Sequence, residues 1–288
     1  MNIARGIEEM RREVAEARAA GRTVGFVPTM GALHRGHFSL IDTARAAAEF
    51  VVVSIFVNPT QFGPGEDFQA YPRPTEQDLA ACEEHNVDVA FVPTVEEMYA
   101  EGEPRTTVHV SQLTDMLCGR KRPGHFDGVC TVVAKLLNIV APDKVLFGAK
   151  DYQQAAVIRR MVKDLNIPVE VLVCPTVREE DGLAISSRNA YLEPSQRKQA
   201  KALSESLQLA RQLIADASPA PADVIEAMRE YIAETAPDGE VDYIELVHPA
   251  ELTPVEATDG PVLAAVAVKF GAARLIDNMR VDAGGGSS

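Results

Sequence analysis

His34 and His37 stand three residues apart in the segment PTMGALHRGH, residues 28–37, directly after the apolar run 23–27. The composition changes there from that of a strand to that of a helix, which is predicted to begin at His37. The turn from a strand into a helix is where α/β proteins bind phosphates, because the first N–H groups of the helix face the anion. A histidine in that turn can hydrogen-bond or protonate a phosphate oxygen as charge develops.

Two other interpretations of the histidine pair stay open at this point. One is that both histidines are ordinary surface residues beside a turn. The other is a zinc site, but zinc takes at least three protein ligands, and no Cys, Asp or Glu accompanies the pair. Gly31 and Gly36 favour a phosphate site instead, because glycine lets the backbone approach a bulky ligand closely.

The composition limits the class of partner. The 288 residues carry a net charge of −14, which disfavours a general nucleic-acid or acidic-membrane surface and makes any phosphate site a local basic pocket. A hydrophobic content of 46% with 24% charged residues indicates a globular protein. No run of about 18 apolar residues predicts a membrane span, and residues 1–21 lack the apolar core of a signal peptide. The four scattered cysteines form no CxxC pair, so a reduced, cytoplasmic protein is expected.

Strand-like and helix-like segments alternate up to about residue 177. This alternation predicts an α/β fold, a Rossmann-like parallel sheet with helices on both faces. The pattern then changes to helices followed by three strands, which indicates a smaller C-terminal α+β domain. The predicted parts are residues 1–177, residues 178–282 and a disordered tail, 283–288, without core-forming residues.

The predicted strands share apolar, β-rich runs and cover residues 50–57, 87–93, 144–148, 169–177, 241–247, 262–270 and 273–279. The predicted helices cover residues 75–86, 126–140, 151–166, 195–217 and 222–234. Thr75 is the expected N-cap of the first of these helices. Gly271 is expected to form a hairpin turn between the last two strands.

Four further segments fall in connections, where binding residues concentrate. The segment NPTQF, residues 58–62, offers the neutral amides of Asn58 and Gln61, which can bind hydroxyls and carboxylates without adding charge. The Asn58–Pro59 pair is also typical of turns, so the alternative that this segment only forms a turn stays open. The basic cluster Arg120–Arg122 is either an anion contact or a solvated face.

The third connection is FGAKDYQQ, residues 147–154, where a strand ends and a helix opens. Lys150 is placed for phosphate, and Asp151 can cap the helix or hold a ribose hydroxyl. Gln154 follows one turn later on the same helix face and could join Gln61 around a polar substrate.

The fourth connection is REEDGLAISSRN, residues 178–189, which is either an interdomain linker or a clamp for a departing pyrophosphate. The phosphate-loop motif GxxxxGK[ST] is absent, and so is GxGxxG after the first strand. No nucleophilic side chain is paired with an orienting base. The remaining chemistry is attack on a nucleotide's phosphorus, with the protein positioning the partners and stabilising charge.

The motifs PTMGALHRGH, FVNPTQF, RPGHFDGV, FGAKDYQQ and DGLAISSRN occur in this order. Together with YIELVHPAEL and ARLIDNM, they resemble the pantothenate synthetase (pantoate–β-alanine ligase) family over residues 20–280. The HxGH and SSR segments also resemble the two signatures of the wider nucleotidyltransferase superfamily. The resemblance implies ATP-dependent condensation of (R)-pantoate with β-alanine to pantothenate, AMP and pyrophosphate through a pantoyl adenylate.

The resemblance also implies roles for individual residues, with His37 as the proton donor. The implied catalytic residues are His34, His37, Lys150 and Arg188. The implied ATP-binding residues are Met30, Gly31, Ala32, Leu33, His34, Arg35, Gly36, His37, Gly148, Ala149, Lys150, Asp151, Val177, Ile185, Ser186, Ser187 and Arg188. The implied residues for pantoate and β-alanine are Pro28, Asn58, Gln61 and Gln154.

The resemblance implies Mg²⁺ held mainly by the ATP phosphates, no protein metal ligand, no prosthetic group and a homodimer, with neither nucleic acid nor membrane as partner. The sequence departs from the family at Arg35, in the order YPRPT and at His248. Two alternatives remain. Another adenylyl- or cytidylyltransferase would carry basic residues in place of Gln61 and Gln154, and a regulator that has lost catalysis would lack His37 or Lys150.

Overall fold

Parallel strands form the larger sheet of this computed structural model, which describes residues 1–99, 102 and 104–282. The predicted tail 283–288 lies outside the described residues. In chain order the strands are β1 (Asn2–Ala4), β2 (Val24–Thr29), β3 (Phe50–Ile55), β4 (Val89–Phe91), β5 (Lys144–Gly148) and β6 (Glu170–Cys174). Their spatial order is β1-β4-β3-β2-β5-β6, and every neighbouring pair is parallel.

Helices cover both faces of this sheet, as the alternating pattern predicts. In chain order they are α1 (Ile7–Ala19), α2 (Arg35–Ala47), α3 (Thr75–Glu84), α4 (Val95–Met98), α5 (Leu117–Lys121), α6 (His125–Val140) and α7 (Tyr152–Asp164). α2 and α3 pack on the face that carries Val27 and Val53, whereas α1 and α6 contact β2 from the other face. Every residue of β3 is buried, because a parallel strand covered on both faces has no solvent side.

The strand order places a topological switch point between β2 and β5. From β2 the chain continues to β3 on one side, whereas β5 pairs with β2 on its other side. Connections that leave in opposite directions open a crevice at the carboxyl ends of the strands, which is where sheets of this kind bind ligands. The segments after β2, β3 and β5 therefore start from one sheet edge.

The C-terminal part consists of helices packed on an antiparallel sheet. Its elements are α8 (Pro194–Gln199), α9 (Ala202–Ala217), α10 (Pro221–Thr235), β7 (Glu240–Val247), β8 (Val262–Phe270) and β9 (Ala273–Val281). The strand order is β7-β8-β9. Leu207 and Phe270 are among the fully buried side chains of its core. Gly271, at φ +56°, forms the predicted turn between Phe270 and Ala273, which pair directly.

The described residues divide into two units. The N-terminal unit comprises Met1–Ala149 and Gln154–Pro175, and the C-terminal unit comprises Lys150–Gln153 with the chain from Thr176 onward. The segment Lys150–Gln153 therefore groups with the C-terminal unit, although the sequence pattern places it inside residues 1–177. One cause is a hydrogen bond from Asn278 of β9 to the carbonyl oxygen of Lys150.

Several helices and strands begin or end at other residues than predicted. α2 begins at Arg35 and not at His37, because the His34 carbonyl already accepts from the N–H groups of His37 and Phe38. Pro74, not Thr75, is the N-cap of α3, since its carbonyl accepts the first helical hydrogen bond from Asp78. Two strands are shorter than predicted: β3 ends at Ile55 and not at residue 57, and β4 covers Val89–Phe91 and not residues 87–93. In addition, β6 ends before Pro175, α7 ends at Asp164, and the helix predicted over 195–217 divides into α8 and α9.

No helix in the described part of the chain is long and apolar enough to cross a membrane. The four cysteines, Cys82, Cys118, Cys130 and Cys174, are all buried, and none forms a disulfide with another. Burial raises the pKa of the Cys82 and Cys130 thiols to about 12 and also raises that of Cys174. The thiolate is the reactive form, so these side chains are packing residues in a protein that forms no disulfide among them.

We expect the native protein to react slowly with an aromatic disulfide reagent at pH 8, because all four thiols are buried and burial raises the pKa of Cys82, Cys130 and Cys174. All four cysteines should react rapidly once denaturant unfolds the chain. The measurement is the release of the coloured thiolate with and without denaturant. Rapid reaction of several thiols in the native protein would contradict the packing described for them.

Candidate active site

The loop between β2 and α2 contains two successive residues with positive φ, which limits the residue types that these positions can accept. Gly31 has φ +82° and Ala32 has φ +50°. A Cβ atom on Gly31 would lie 2.9 Å from Oδ2 of Asp78 and 3.1 Å from Cγ2 of Ile55. Glycine is therefore required at this position both by conformation and by space.

Asp78 of α3 holds the backbone of this loop. Its carboxylate accepts hydrogen bonds from the N–H groups of Ala32, at 2.9 Å to Oδ2, and Leu33, at 2.7 Å to Oδ1. The residue is 2% exposed. Burial raises the pKa of the Asp78 carboxyl, while the two backbone hydrogen bonds oppose that shift. Asp78 is not among the site residues predicted from the sequence, although its position one turn before the core residue Cys82 marks it as an acid on a buried helix face.

His34 and His37 cap the start of α2 together. Nδ1 of His34 accepts from the N–H group of Gly36 at 3.2 Å, and Nδ1 of His37 accepts from the N–H group of His34 at 3.3 Å. The ring centroids are 4.1 Å apart. A neutral imidazole with an accepting Nδ1 carries its proton on Nε2, so both rings keep an Nε2–H donor beside the helix N-terminus. This end of α2 can therefore bind and stabilise an anion.

Gln61 lies at the end of a 3₁₀ turn, Pro59–Gln61, that follows β3. Its Nε2 atom lies 2.9 Å from Sδ of Met30, and its Oε1 accepts from Nδ2 of Asn58 at 3.2 Å. The structure therefore brings together residues from the segments after β2 and β3. Gln61 is 8% exposed and is oriented by both contacts.

Asn58 is almost completely buried, and its own amide is fully used. Nδ2 donates to Gln61 and to the carbonyl of Gly128, while Oδ1 accepts from Tyr99 Oη at 2.8 Å and from Thr60. Asn58 is 1% exposed. In this arrangement Asn58 orients Gln61 and has no further donor or acceptor to offer a ligand, which differs from the direct role that the resemblance implies.

Arg122 of the basic cluster lies in an ion-pair network. It donates two hydrogen bonds to the carboxylate of Glu66, at 2.7 and 2.5 Å, and one to Nε2 of His125. Nδ1 of His125 then donates to the carbonyl of Gln61 at 2.7 Å. The hydrogen bond from Arg122 lowers the pKa of the Glu66 carboxyl. The network connects the Pro/Gly-rich loop to the backbone of Gln61, a role that the basic run alone did not indicate.

The segment after β5 continues directly into α7. Gly148 ends the strand, and Ala149–Asp151 form a 3₁₀ turn. Asp151 therefore lies inside that turn and not at the start of the predicted helix 151–166. The ammonium group of Lys150 lies 3.4 Å from Oδ1 of Asp151. Gln154 follows in the first turn of α7 and is half-buried.

A short hairpin in the C-terminal unit joins Val177 to Ile185. The N–H group of Ile185 donates to the carbonyl of Val177 at 3.0 Å, and Arg178 bridges Ala184. The next residue, Ser186, is the N-cap of the 3₁₀ helix Ser187–Tyr191 and accepts from the N–H group of Arg188 at 3.3 Å. Two hydroxyls and a guanidinium thus occupy a tight, hydrogen-bonded turn.

The chemistry that these groups can perform is charge stabilisation. The donors are imidazole N–H, ammonium, guanidinium, hydroxyl and amide groups, which suit phosphate and carboxylate oxygens. No group of three His, Cys, Asp or Glu side chains that could hold a metal occurs in the part of the chain that the structure describes. Both carboxylate oxygens of Asp78 accept hydrogen bonds from backbone N–H groups, so this side chain stabilises the loop and is not assigned to a metal.

A family model described as pantoate-beta-alanine ligase matches residues 2–280. The chain is 52% identical over 278 residues to a pantothenate synthetase of Thermotoga neapolitana, covering 96% of this chain and 99% of that protein. A pantothenate synthetase of Acetivibrio thermocellus is 50% identical over 285 residues, with 98% and 100% coverage.

Solved structures show the same similarity. The pantothenate synthetase of Thermus thermophilus superimposes with a TM-score of 0.91 at 48% identity, covering 97% of this chain and 99% of that one. A pantoate-beta-alanine ligase of Francisella tularensis, complexed with beta-gamma ATP and beta-alanine, gives a TM-score of 0.80 at 34% identity and covers 97% of both chains.

The loop geometry predicts that Gly31→Ala destabilises the protein more than Gly65→Ala. Both glycines have φ +82°, so both substitutions incur the same conformational cost, but nothing lies within 4 Å of a Cβ on Gly65. The contact with Asp78 should add about 1–3 kcal/mol for Gly31→Ala, the usual cost of overpacking. Urea unfolding of the two variants measures the difference, and equal midpoints would contradict it.

Proposed function

The chain belongs to the pantoate–β-alanine ligase family, and from this premise we propose how its residues perform the ATP-dependent joining of pantoate to β-alanine. The match over residues 2–280, together with about 50% identity to curated pantothenate synthetases, carries the activity itself. The reaction belongs to pantothenate biosynthesis. The assignment of residues to steps rests on the donor groups described above.

In the first step, a carboxylate oxygen of pantoate attacks the α-phosphorus of ATP, and the bond from that phosphorus to pyrophosphate breaks. The products are pantoyl adenylate and pyrophosphate. No side chain is needed as a nucleophile, so the protein supplies position and charge stabilisation. His34 and His37 donate from Nε2–H to phosphate oxygens, and the capping bonds to their Nδ1 atoms support this orientation.

Cationic and hydroxyl groups hold the phosphates in this proposal. Lys150 and Arg188 supply positive charge that offsets the charge gained by the leaving pyrophosphate, and Ser186 and Ser187 supply hydroxyl donors. ATP enters as its Mg²⁺ complex, a substrate form in which phosphate oxygens are the main ligands of the metal. The remaining proposed ATP contacts are Met30, Gly31, Ala32, Leu33, Arg35, Gly36, Gly148, Ala149, Asp151, Val177 and Ile185.

Neutral amides hold the attacking acid. We assign pantoate to Gln61 and Gln154, beside Pro28, with Asn58 orienting Gln61 through the bond of 3.2 Å. A glutamine can bind the hydroxyls and carboxylate of pantoate without pairing its negative charge. A close cation would stabilise that charge in the ground state and weaken the nucleophile.

In the second step, the amine of β-alanine attacks the acyl carbon of the adenylate near Gln61. The bond to the AMP oxygen breaks, the amine loses a proton, and pantothenate and AMP are released. We further propose a homodimer in the cytoplasm. The family resemblance supports the dimer, which sedimentation can test, and four cysteines that form no disulfide are consistent with a reducing compartment.

We expect ATP–pyrophosphate exchange that requires pantoate but not β-alanine. The reason is that adenylation of pantoate is reversible and takes place before β-alanine reacts. Incorporation of labelled pyrophosphate into ATP measures this exchange across several candidate hydroxy acids. Exchange without any acid, or none in protein that still forms pantothenate, would exclude the adenylate route.

We expect His37→Gln to retain more adenylation activity than His37→Asn. The glutamine amide reaches the place of Nε2 and can still donate to phosphate, whereas the asparagine amide replaces Nδ1 and preserves only the helix cap. His37→Ala should slow adenylation roughly tenfold to a thousandfold and affect the reaction of preformed pantoyl adenylate much less.

The matched control for these variants is His85→Ala, which removes a histidine at the C-terminal end of α3 that pairs with Asp42 and should leave both steps unchanged. Rapid-quench measurement of each half-reaction gives the rates. A higher rate for His37→Asn than for His37→Gln would assign His37 to capping alone.

A further inference from the structure

Two adjacent residues of β9, Asp277 and Asn278, contact two separate segments of the C-terminal unit. Asp277 lies among the apolar residues that β9 buries, and its side chain is only 1% exposed. Its carboxylate accepts from Nη1 of Arg178 at 2.6 Å and from Nη2 at 3.0 Å. A buried carboxylate costs stability unless it is paired in this way, so the pair fixes Arg178 firmly.

Arg178 opens the hairpin that leads to the Ser186–Arg188 turn. Its guanidinium also donates to the carbonyl of Gly182 at 3.0 Å, and its backbone bridges Ala184. The side chain therefore ties the tip of the hairpin to the strand, four residues before Ser186. The end of the hairpin and the turn that follows have little freedom to move apart from β9.

Asn278 contacts the other segment. Its Nδ2 atom donates to the carbonyl oxygen of Lys150 at 2.8 Å. Its backbone N–H group donates to Oδ1 of Asp277, also at 2.8 Å, so the carboxylate that holds Arg178 also holds the backbone of Asn278. β9 thereby fixes the backbone that carries Lys150.

We propose that Asp277 and Asn278 are positioning residues that set the ammonium of Lys150 and the Ser186–Arg188 turn in register for the phosphates of ATP. This inference rests on the proposed function of those segments. It assigns the IDN sequence of β9 a part in adenylation, although neither side chain touches a substrate. Positioning affects the rate because charge stabilisation depends steeply on distance, and displacements of about 1 Å can cost as much as a hundredfold in rate.

The test for Asn278 is a double-mutant cycle with Lys150. We expect Asn278→Ala to lower kcat for pantoate-dependent ATP–pyrophosphate exchange about tenfold, while KM for pantoate stays unchanged. In the Lys150→Ala background the same substitution should change kcat less than twofold, because no ammonium is left to position. Asn278→Asp should behave like Asn278→Ala, since a carboxylate cannot donate to the carbonyl.

The test for Asp277 uses as its control an ion pair between β7 and β9. Asp277→Asn should lower kcat about tenfold, and this loss should shrink in the Arg188→Ala background. The control is Asp242→Asn, because Asp242 pairs with Arg274 of β9 at 2.8 Å but leads to neither phosphate segment. We expect this control to leave kcat unchanged even if its melting temperature falls as far as that of Asp277→Asn.

The outcomes separate this inference from the proposed function. Additive losses in the cycles, or full exchange activity in both Asn278→Ala and Asp277→Asn, would overturn the positioning role while exchange in the native protein still supports the ligase mechanism. If Lys150→Ala and Arg188→Ala were themselves fully active, the proposed phosphate contacts would be wrong. If Asp277→Asn fails to fold, Arg178→Lys tests the same pair, since lysine keeps the charge but loses the two-bond geometry.

Discussion

The buried carboxylate of Asp78 is the constraint on which the loop between β2 and α2 depends. By accepting from the N–H groups of Ala32 and Leu33, it holds a loop whose backbone enters the left-handed region at two successive residues. That loop leads directly into the capping pair His34 and His37. A carboxylate buried to 2% exposure is destabilising unless it is hydrogen-bonded, so the acid and the loop conformation stabilise each other.

The hydrogen bonds that cap α2 also decide which nitrogen of each neutral imidazole carries the proton. Their Nδ1 atoms are used by backbone donors at the start of α2, and this leaves Nε2–H as the donor of each neutral ring. Through these bonds the helix terminus contributes to the orientation of both rings. In an acidic protein with a net charge of −14, local donors of this kind and the helix terminus are groups that can attract phosphate although the overall charge repels it.

The polar residues around Gln61 hold this glutamine in place through hydrogen bonds. Asn58 is saturated by hydrogen bonds, and His125 donates to the Gln61 carbonyl, so neighbouring residues fix both the side chain and the backbone of this glutamine. Asp277 and Asn278 support the C-terminal unit in a comparable way. In both places, supporting residues restrict the groups that we propose to bind substrate, which is the requirement for electrostatic preorganisation.

The sequence by itself determined the parallel α/β pattern, the C-terminal α+β unit and the motifs that carry the site, because strand and helix periodicity and glycine placement are local properties. It also identified the family. Only the tertiary structure decided that Asp78 holds the 31–33 loop, that Asn58 supports Gln61, that Arg122 binds Glu66 and that Asn278 reaches Lys150. These contacts join residues 46, 3, 56 and 128 positions apart. Most are long-range, and even the short one depends on burial, so no local pattern specifies them.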